Sequence, residues 1–374
     1  MQLLLKNALA FIEGAFQKTD IFVVDGKITA FAAPCCCFEN VTVLDCEGKY
    51  LLPGFIDIHT HGAVGIDVNA ADEADFEKIS AFFASKGVTA YLASVLTDSE
   101  KNTLRVLDTI SGYCLGQKSG AKLLGAHLEG PFLSVERKGA MPEEYLKNAD
   151  EKLFARYFQS GAVRYITIAP EVSGALQLIK AISSKLPVAL GHSEADYETA
   201  KAAIALGARA STHTFNAMRG IDRVEPAILG AVLEGDVYNE IICDGFHVHP
   251  ANIRLLYRLK GKEKMIAVTD SIQATGMPDG VYKLGKNDVS VQAGEAFLNG
   301  TATRAGSVLT ADAALRNMVE FLGVGLEKVI PMFTQNPAML LGLNKGFIRI
   351  GYDADFVLLN QQLQVERTIV AGKF

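Results

Sequence analysis

Between residues 54 and 270 one pattern recurs eight times: a short apolar run with strand character, then a longer amphipathic stretch of helical period. The strand candidates are residues 54–62, 88–93, 122–127, 164–169, 187–190, 208–213, 240–243 and 265–269. Strands separated by helices cannot pair as hairpins, so they must lie parallel and connect by crossovers. The punctuation between them agrees. The helix after Asp72 places Phe76, Ile79, Phe82 and Phe83 on one face and stops at Gly87, while Ser193 with Asp196 opens another that Gly207 ends. Eight β/α units over about 290 residues predict an α/β chain with a (β/α)8 TIM-like barrel, whose active site lies at the C-terminal ends of the strands.

The two ends of the chain are different. Residues 3–5, 21–24, 28–31 and 41–44 read as short strands, with Asp25-Gly26 as a hairpin turn, and residues 347–350, 356–359 and 368–370 have the same character. A few isolated strands cannot bury a face alone. Residues 1–51 and 346–374 are therefore expected to assemble one small β-sandwich domain, with the barrel occupying 52–345. Hydrophobic residues at 49% and charged residues at 21% supply ample core material. A net charge of -6 excludes nucleic acid as the main partner, because backbone binding needs a basic face. The N-terminal stretch lacks a basic n-region and a cleavage site, and no apolar run has the length of a membrane span. A cytoplasmic protein without a membrane partner is expected. Six cysteines include the adjacent trio Cys35, Cys36 and Cys37, which lacks zinc-site spacing and reads as reduced thiols in a loop.

Reactive side chains collect where the barrel reading requires them. His59 and His61 end the first strand, Glu129 the third, His192 the fifth, His213 the sixth, Asp244 the seventh and Asp270 the eighth. All seven histidines lie at or near such ends, whereas scattered ones would also fall on helices and in the terminal segments. On an extended first strand Asp57, His59 and His61 share one face, so two imidazoles can meet one ion. Glu129 with His192 and His213 offers a carboxylate and two imidazoles, a set that suits zinc or ferrous iron and leaves a position for water. Gly130-Pro131 directly after Glu129 argues against its being a helix cap. His59 and His61 would hold a second ion, with Glu129 between the two. Asp57 either orients a ligand histidine or pairs elsewhere inside the barrel. Asp270 is the candidate general base, with a further ligand role open, and His247 is placed to polarise a scissile carbonyl. His249, next to Pro250, reads as structural.

These motifs resemble the N-acetylglucosamine-6-phosphate deacetylase family of the amidohydrolase superfamily, over essentially the whole chain. They are Leu-Pro-Gly-Phe-Ile-Asp-Ile-His-Thr-His-Gly from Leu52, His-Leu-Glu-Gly-Pro-Phe from His127, Gly-His-Ser at 191–193, Thr-His-Thr-Phe-Asn-Ala-Met from Thr212, Cys-Asp-Gly-Phe-His at 243–247, Val-Thr-Asp at 268–270 and Gly-Tyr-Asp-Ala-Asp-Phe-Val at 351–357. The resemblance implies hydrolysis of an acetamide on an amino sugar phosphate, with one or two divalent ions, zinc or iron. It gives Glu129, His192 and His213 the catalytic metal, with His59 and His61 available for a second, and Asp270 the acid/base role. It puts Asn216, Ala217, Ala140 and the Arg304, Ala305, Gly306 segment at the sugar, and His247 at the acetamide carbonyl. A homodimer is also implied. One motif departs: the family's phosphate-binding arginine directly precedes Glu-Pro, whereas this chain reads Asp222-Arg223-Val224-Glu225-Pro226, with Arg219 nearby. Rival readings are a deacetylase for N-acetylgalactosamine 6-phosphate, an amidohydrolase for another cyclic or linear amide, or a catalytically dead scaffold. The complete ligand set argues against the last.

Overall fold

The structure, a computed structural model, describes residues 2–31 and 41–374, so the cysteine trio Cys35, Cys36 and Cys37 lies outside it. Strands β1 (Gln2–Ile12), β2 (Ala15–Val24) and β3 (Lys27–Phe31) form an antiparallel meander. Asp25 and Gly26 turn the chain between β2 and β3 with φ of 47° and 77°, the left-handed pair that a tight hairpin of matching twist requires. Strand β1 changes partners along its length. A register shift between Leu5 and Ala8, with Asn7 at φ 58°, divides it into two halves. The first half pairs in parallel with β4 (Val41–Asp45), the second with β5 (Tyr50–Pro53). Such a bulge bends the strand, which lets the sheet curl around its own apolar side chains.

The barrel follows as β6 (Phe55–Asp57), β7 (Val88–Leu96), β8 (Lys122–Glu129), β9 (Val163–Ile168), β10 (Val188–Leu190), β11 (Ala210–Ser211), β12 (Tyr238–Ile242) and β13 (Met265–Val268). All eight are parallel and neighbour one another in chain order. The ring closes just beyond the strand ends, where the Asp270 amide donates to the His59 carbonyl at 2.9 Å and the His61 amide to Ser271 at 2.7 Å. Asp57 reinforces this seam by accepting the Thr269 hydroxyl at 2.6 Å. The outer helices begin where polar caps allow. Asp72 and Asp75 form a capping box for Glu73–Ser85, whose Phe76, Ile79 and Phe83 are buried while Phe82 is half-buried. Asp196 alone caps Tyr197–Ala205; Ser193, expected to share that start, instead donates to Glu171 at 2.8 Å.

Beyond β13 stands an element not anticipated from the sequence: the antiparallel trio β14 (Gly280–Leu284), β15 (Asn287–Gln292) and β16 (Glu295–Leu298). Its Leu284, Val289, Val291 and Ala296 pack on Leu96, Leu133, Met141 and Ile272 near the barrel's C-terminal rim. The chain then returns as β17 (Phe356–Leu359), antiparallel to β5, and β18 (Val365–Ile369). Both termini thus share one seven-stranded sheet. One side of it encloses Leu3, Leu5, Ile21, Leu51 and Phe356, while Phe11, Leu52, Val357 and Leu359 join the barrel core. The strand expected over 347–350 does not form. Gly346 and Gly351, at φ 76° and 86°, bracket the segment and break its pleat. Among the described residues no helix is long and apolar enough to cross a membrane.

Candidate active site

The reactive residues sit where strands stop being strands. His192, His213 and Asp270 follow β10, β11 and β13 with φ of 48°, 28° and 50°, so the backbone twists out of the pleat and turns each side chain toward the barrel axis. Non-glycine residues pay for such conformations, and runs of them mark functional sites. The first strand also ends early. Extended pairing stops at Asp57, and Asp57 does not share a face with the two histidines: it faces Thr269 across the seam and accepts the His59 amide at 3.2 Å. Burial pushes its carboxyl up to about 6, against the hydrogen bonds from Thr269 and the His59 amide.

Glu129 is the hub. Its Oε1 lies 3.1 Å from Nε2 of both His192 and His213 and 3.4 Å from Nε2 of His59, and its Oε2 lies 3.1 Å from Nε2 of His61. Asp270 Oδ1 stands 3.3 Å from His61 and 3.5 Å from His59. All six side chains are buried. Burial works against charge on Glu129, Asp270, His59 and His61, yet the attraction between them outweighs it. The imidazoles bring Glu129 well below and Asp270 below the usual carboxylate values; Glu129 and Asp270 raise His59 well above its usual value and His61 to about 9.

Two trios of donors converge within reach of a single ion each: Glu129, His192 and His213, and His59, His61 and Glu129. The donor chemistry fits a cation. Nδ1 of His61 and of His192 face backbone carbonyls of Ser94 and Arg137 at 3.1 and 2.8 Å, which accept only, so a ring hydrogen sits there and Nε2 is the nitrogen that would give its lone pair to a bound cation in place of a proton. Yet Nε2 of His192 and His213 are 3.0 Å apart, and those of His59 and His61 3.3 Å. A proton satisfies one such contact; a divalent ion satisfies several together. Ligands at 2.0–2.1 Å around a tetrahedral centre stand about 3.3 Å from each other, close to these separations.

A cavity of about 530 Å³ opens over this cluster. It is lined by His61, Glu129, His192, His213, His247 and Asp270, and also by Ala140, Asn216, Ala217, Arg304, Ala305 and Gly306. The structure therefore brings together nearly every residue singled out from the sequence. His59 sits behind the wall, fully buried. Arg223 is the exception. It is exposed on the loop after Met218 and does not line the cavity, whereas Arg137 and Lys138 do. His247 Nδ1 pairs with Asp244 Oδ2 at 2.6 Å, which leaves Nε2 as the nitrogen available to a ligand. His249 caps the helix Pro250–Lys260.

Two residues escaped the reading of the sequence. Glu240, within β12, is fully buried and accepts from Tyr165 Oη at 2.7 Å while facing His59 Nδ1 at 3.0 Å. The signal was a lone carboxylate directly before the apolar pair Ile241 and Ile242 in Tyr-Asn-Glu-Ile-Ile. His127, noted only as part of a motif, lies between Ser94 and Thr167 hydroxyls at 2.9 and 2.8 Å against the His59 ring, and burial holds it neutral.

Known proteins resemble this chain in sequence and fold. A model of the Amidohydrolase family matches residues 50–374. N-acetylglucosamine-6-phosphate deacetylase of Lysinibacillus sphaericus is 34% identical, covering 100% of this chain and 97% of the relative, and that of Bacillus subtilis (strain 168) is 36% identical over 86% and 83%. Among solved structures, the deacetylase of the same name from Pasteurella multocida superposes with a TM-score of 0.94 at 30% identity, covering 100% and 99% of the two chains. An aspartate-to-alanine mutant of the Mycobacterium smegmatis enzyme in complex with N-acetyl-D-glucosamine-6-phosphate gives 0.91 at 34%, covering 100% and 98%.

Proposed function

The chain belongs to the amidohydrolase family, within its N-acetylglucosamine-6-phosphate deacetylases, and we propose that it hydrolyses the acetamide of N-acetylglucosamine 6-phosphate to glucosamine 6-phosphate and acetate. The observation that carries this reading is the placement of Asp270 and His247 on the same cavity wall as the Glu129, His192, His213 trio. Glu129, His192 and His213 would hold the first divalent ion, and His59, His61 and Glu129 a second; the nitrogen and oxygen donors suit zinc or ferrous iron. When bound, such an ion acidifies water and polarises a carbonyl.

The remaining steps fall to the chain. Asp270 takes a proton from the attacking water and delivers it to the departing amine nitrogen, a role worth about 10²–10⁴-fold in rate. His247, its Nδ1 tied to Asp244, presents Nε2 to the acetamide oxygen as charge develops there. Asn216 and Ala217, on the strained turn after His213, with Ala140 and the Arg304–Gly306 wall, hold the sugar ring. Arg223 would meet the phosphate from a neighbouring copy in a homodimer, since it lies off its own chain's cavity. Cys46, Cys114 and Cys243 are free thiols, which suits a cytoplasmic setting. The same reading takes 52–345 as the catalytic unit and 1–51 with 346–374 as the β unit, each with an apolar core.

The test couples metal quantification of the purified protein to acetate release from N-acetylglucosamine 6-phosphate, its galactosamine epimer and the unphosphorylated sugar. The expected result is bound zinc or iron with fastest release from the first substrate. Metal-replete protein that frees no acetate from any of them sinks the proposal.

A further inference from the structure

Four imidazoles face Glu129, and they differ in what their Nδ1 atoms meet: that of His213 is buried without a hydrogen-bond partner among the described residues. His61 and His192 each turn Nδ1 to a neutral backbone carbonyl, whereas His59 turns Nδ1 to the carboxylate of Glu240 at 3.0 Å. Glu240 has no exposed surface, and among the described residues no lysine or arginine pairs with it. Its oxygens are used by named donors: Oε1 accepts the Tyr165 hydroxyl at 2.7 Å, and Oε2 accepts the His213 amide at 3.2 Å besides facing His59. The Tyr165 phenol, packed 4.8 Å from the His127 ring, which is in turn 4.6 Å from the His59 ring, completes a wall that leaves His59 one orientation.

A fully buried carboxyl is costly to place, and an apolar residue of similar size would fill that position in β12 at less cost. What the carboxylate supplies is specific to His59. It accepts the Nδ1 hydrogen, so the ring is held in the tautomer whose Nε2 lone pair points at His61 and Glu129, and it makes that nitrogen a stronger donor.

We propose that Glu240, anchored by Tyr165, is the positioning residue that enables this chain to hold a second divalent ion on His59, His61 and Glu129. The inference rests on the metal-dependent reading above and adds the reason that the second trio is competent. Glu240 touches neither substrate nor the reacting atoms; it acts through His59.

The test is a titration of the metal-stripped full-length chain with cobalt(II), followed by d–d absorption and by metal analysis after gel filtration. Wild type takes two equivalents. Glu240→Gln keeps size and shape, and is expected to weaken the second equivalent about 10–100-fold while leaving the first unchanged. His61→Asn, which removes a ligand of the same trio, identifies the affected equivalent by its absorption band. Tyr165→Phe, which frees the carboxylate without removing it, weakens the same equivalent by a smaller factor and carries the test if Glu240→Gln does not fold. Wild-type affinity for both equivalents in Glu240→Gln overturns the proposal, as does parallel weakening of both, which is what a merely structural role predicts. A wild type that takes one equivalent and still releases acetate also overturns it, but leaves the functional reading standing. One that binds no ion and releases no acetate defeats both.

Discussion

Two of the places where the described residues bury carboxylates resolve the cost in opposite ways. Where the terminal sheet meets the barrel, Lys345 Nζ lies 2.6 Å from Asp355 and 2.8 Å from Asp353, and Lys27 completes the group at 2.5 Å from Asp353. The remaining Asp355 oxygen accepts the Ala371 amide at 2.7 Å. The cation is part of the chain, so this clamp is electrically closed. At the barrel mouth Glu129, Asp270 and Glu240 face histidines whose inward nitrogens already crowd one another. No lysine or arginine reaches Glu129 or Asp270 among the described residues. Buried charge of the first kind holds a fold together; buried charge of the second kind waits for a ligand.

The largest expected effect divides the two regions at the mouth. Asp270→Asn is isosteric and removes one of the crowded charges, so the fold should lose nothing and metal content should stay at the wild-type level. Turnover should fall about 10²–10⁴-fold, because the proton carrier is gone. Steady-state kinetics on the metal-quantified variant check it, and near-normal kcat would remove Asp270 from the chemistry.

The clamp predicts the mirror image. Lys345→Met leaves Asp355 buried without its cation, and breaking such a pair costs about 3–5 kcal/mol. Burial alone already raises the Asp355 carboxyl, with Lys345 as its main compensation. The urea midpoint should drop accordingly, while kcat and KM measured well below the transition stay unchanged. A variant that loses turnover without losing stability would show that the clamp and the mouth are not separable.

How much of this was legible in the sequence follows from the range over which each feature is decided. Eight strand and helix units, the helix starts near Asp72 and Asp196 and the ring of His, Glu and Asp at strand ends are local patterns, and local rules read them, although the cap of the second helix is Asp196 alone and not Ser193 with it. Glu240 was not legible as a partner of His59. The two are 181 positions apart and meet only when β12 and the end of β6 face each other across a closed barrel. Asp57 could be placed on the correct strand but not on the correct side of its end, because the strand stops there and the alternation that put it beside His59 and His61 no longer applies. The trio β14–β16 has a plain two-residue period, and Gly285 and Gly294 mark its turns at φ 57° and 83°. It lies beyond the eighth unit, where nothing in the barrel pattern calls for further strands.

Arg223 offers the smallest and sharpest test of the comparison, since it asks whether a cation at the mouth is already spent. Arg137 and Arg304 both line the cavity, but each is held by a carboxylate, Glu194 and Glu295, as Lys345 is held in the clamp. Arg223 has no carboxylate partner among the described residues and stands exposed between Ile221 and Val224, two apolar side chains that are 56% and 72% exposed. An unpaired guanidinium keeps its full capacity for a bidentate phosphate contact. Loss of one hydrogen bond to a charged group costs about 1.5–3 kcal/mol, or roughly 10–100-fold in binding. Arg223→Ala should therefore raise KM for N-acetylglucosamine 6-phosphate by about 10-fold, the lower end for a partly solvated contact, and leave kcat and the KM of the unphosphorylated sugar unchanged. If Arg137→Ala produces that phosphate-dependent loss and Arg223→Ala does not, the anchor lies within one chain, and the pairing of Arg137 with Glu194 must open when substrate binds.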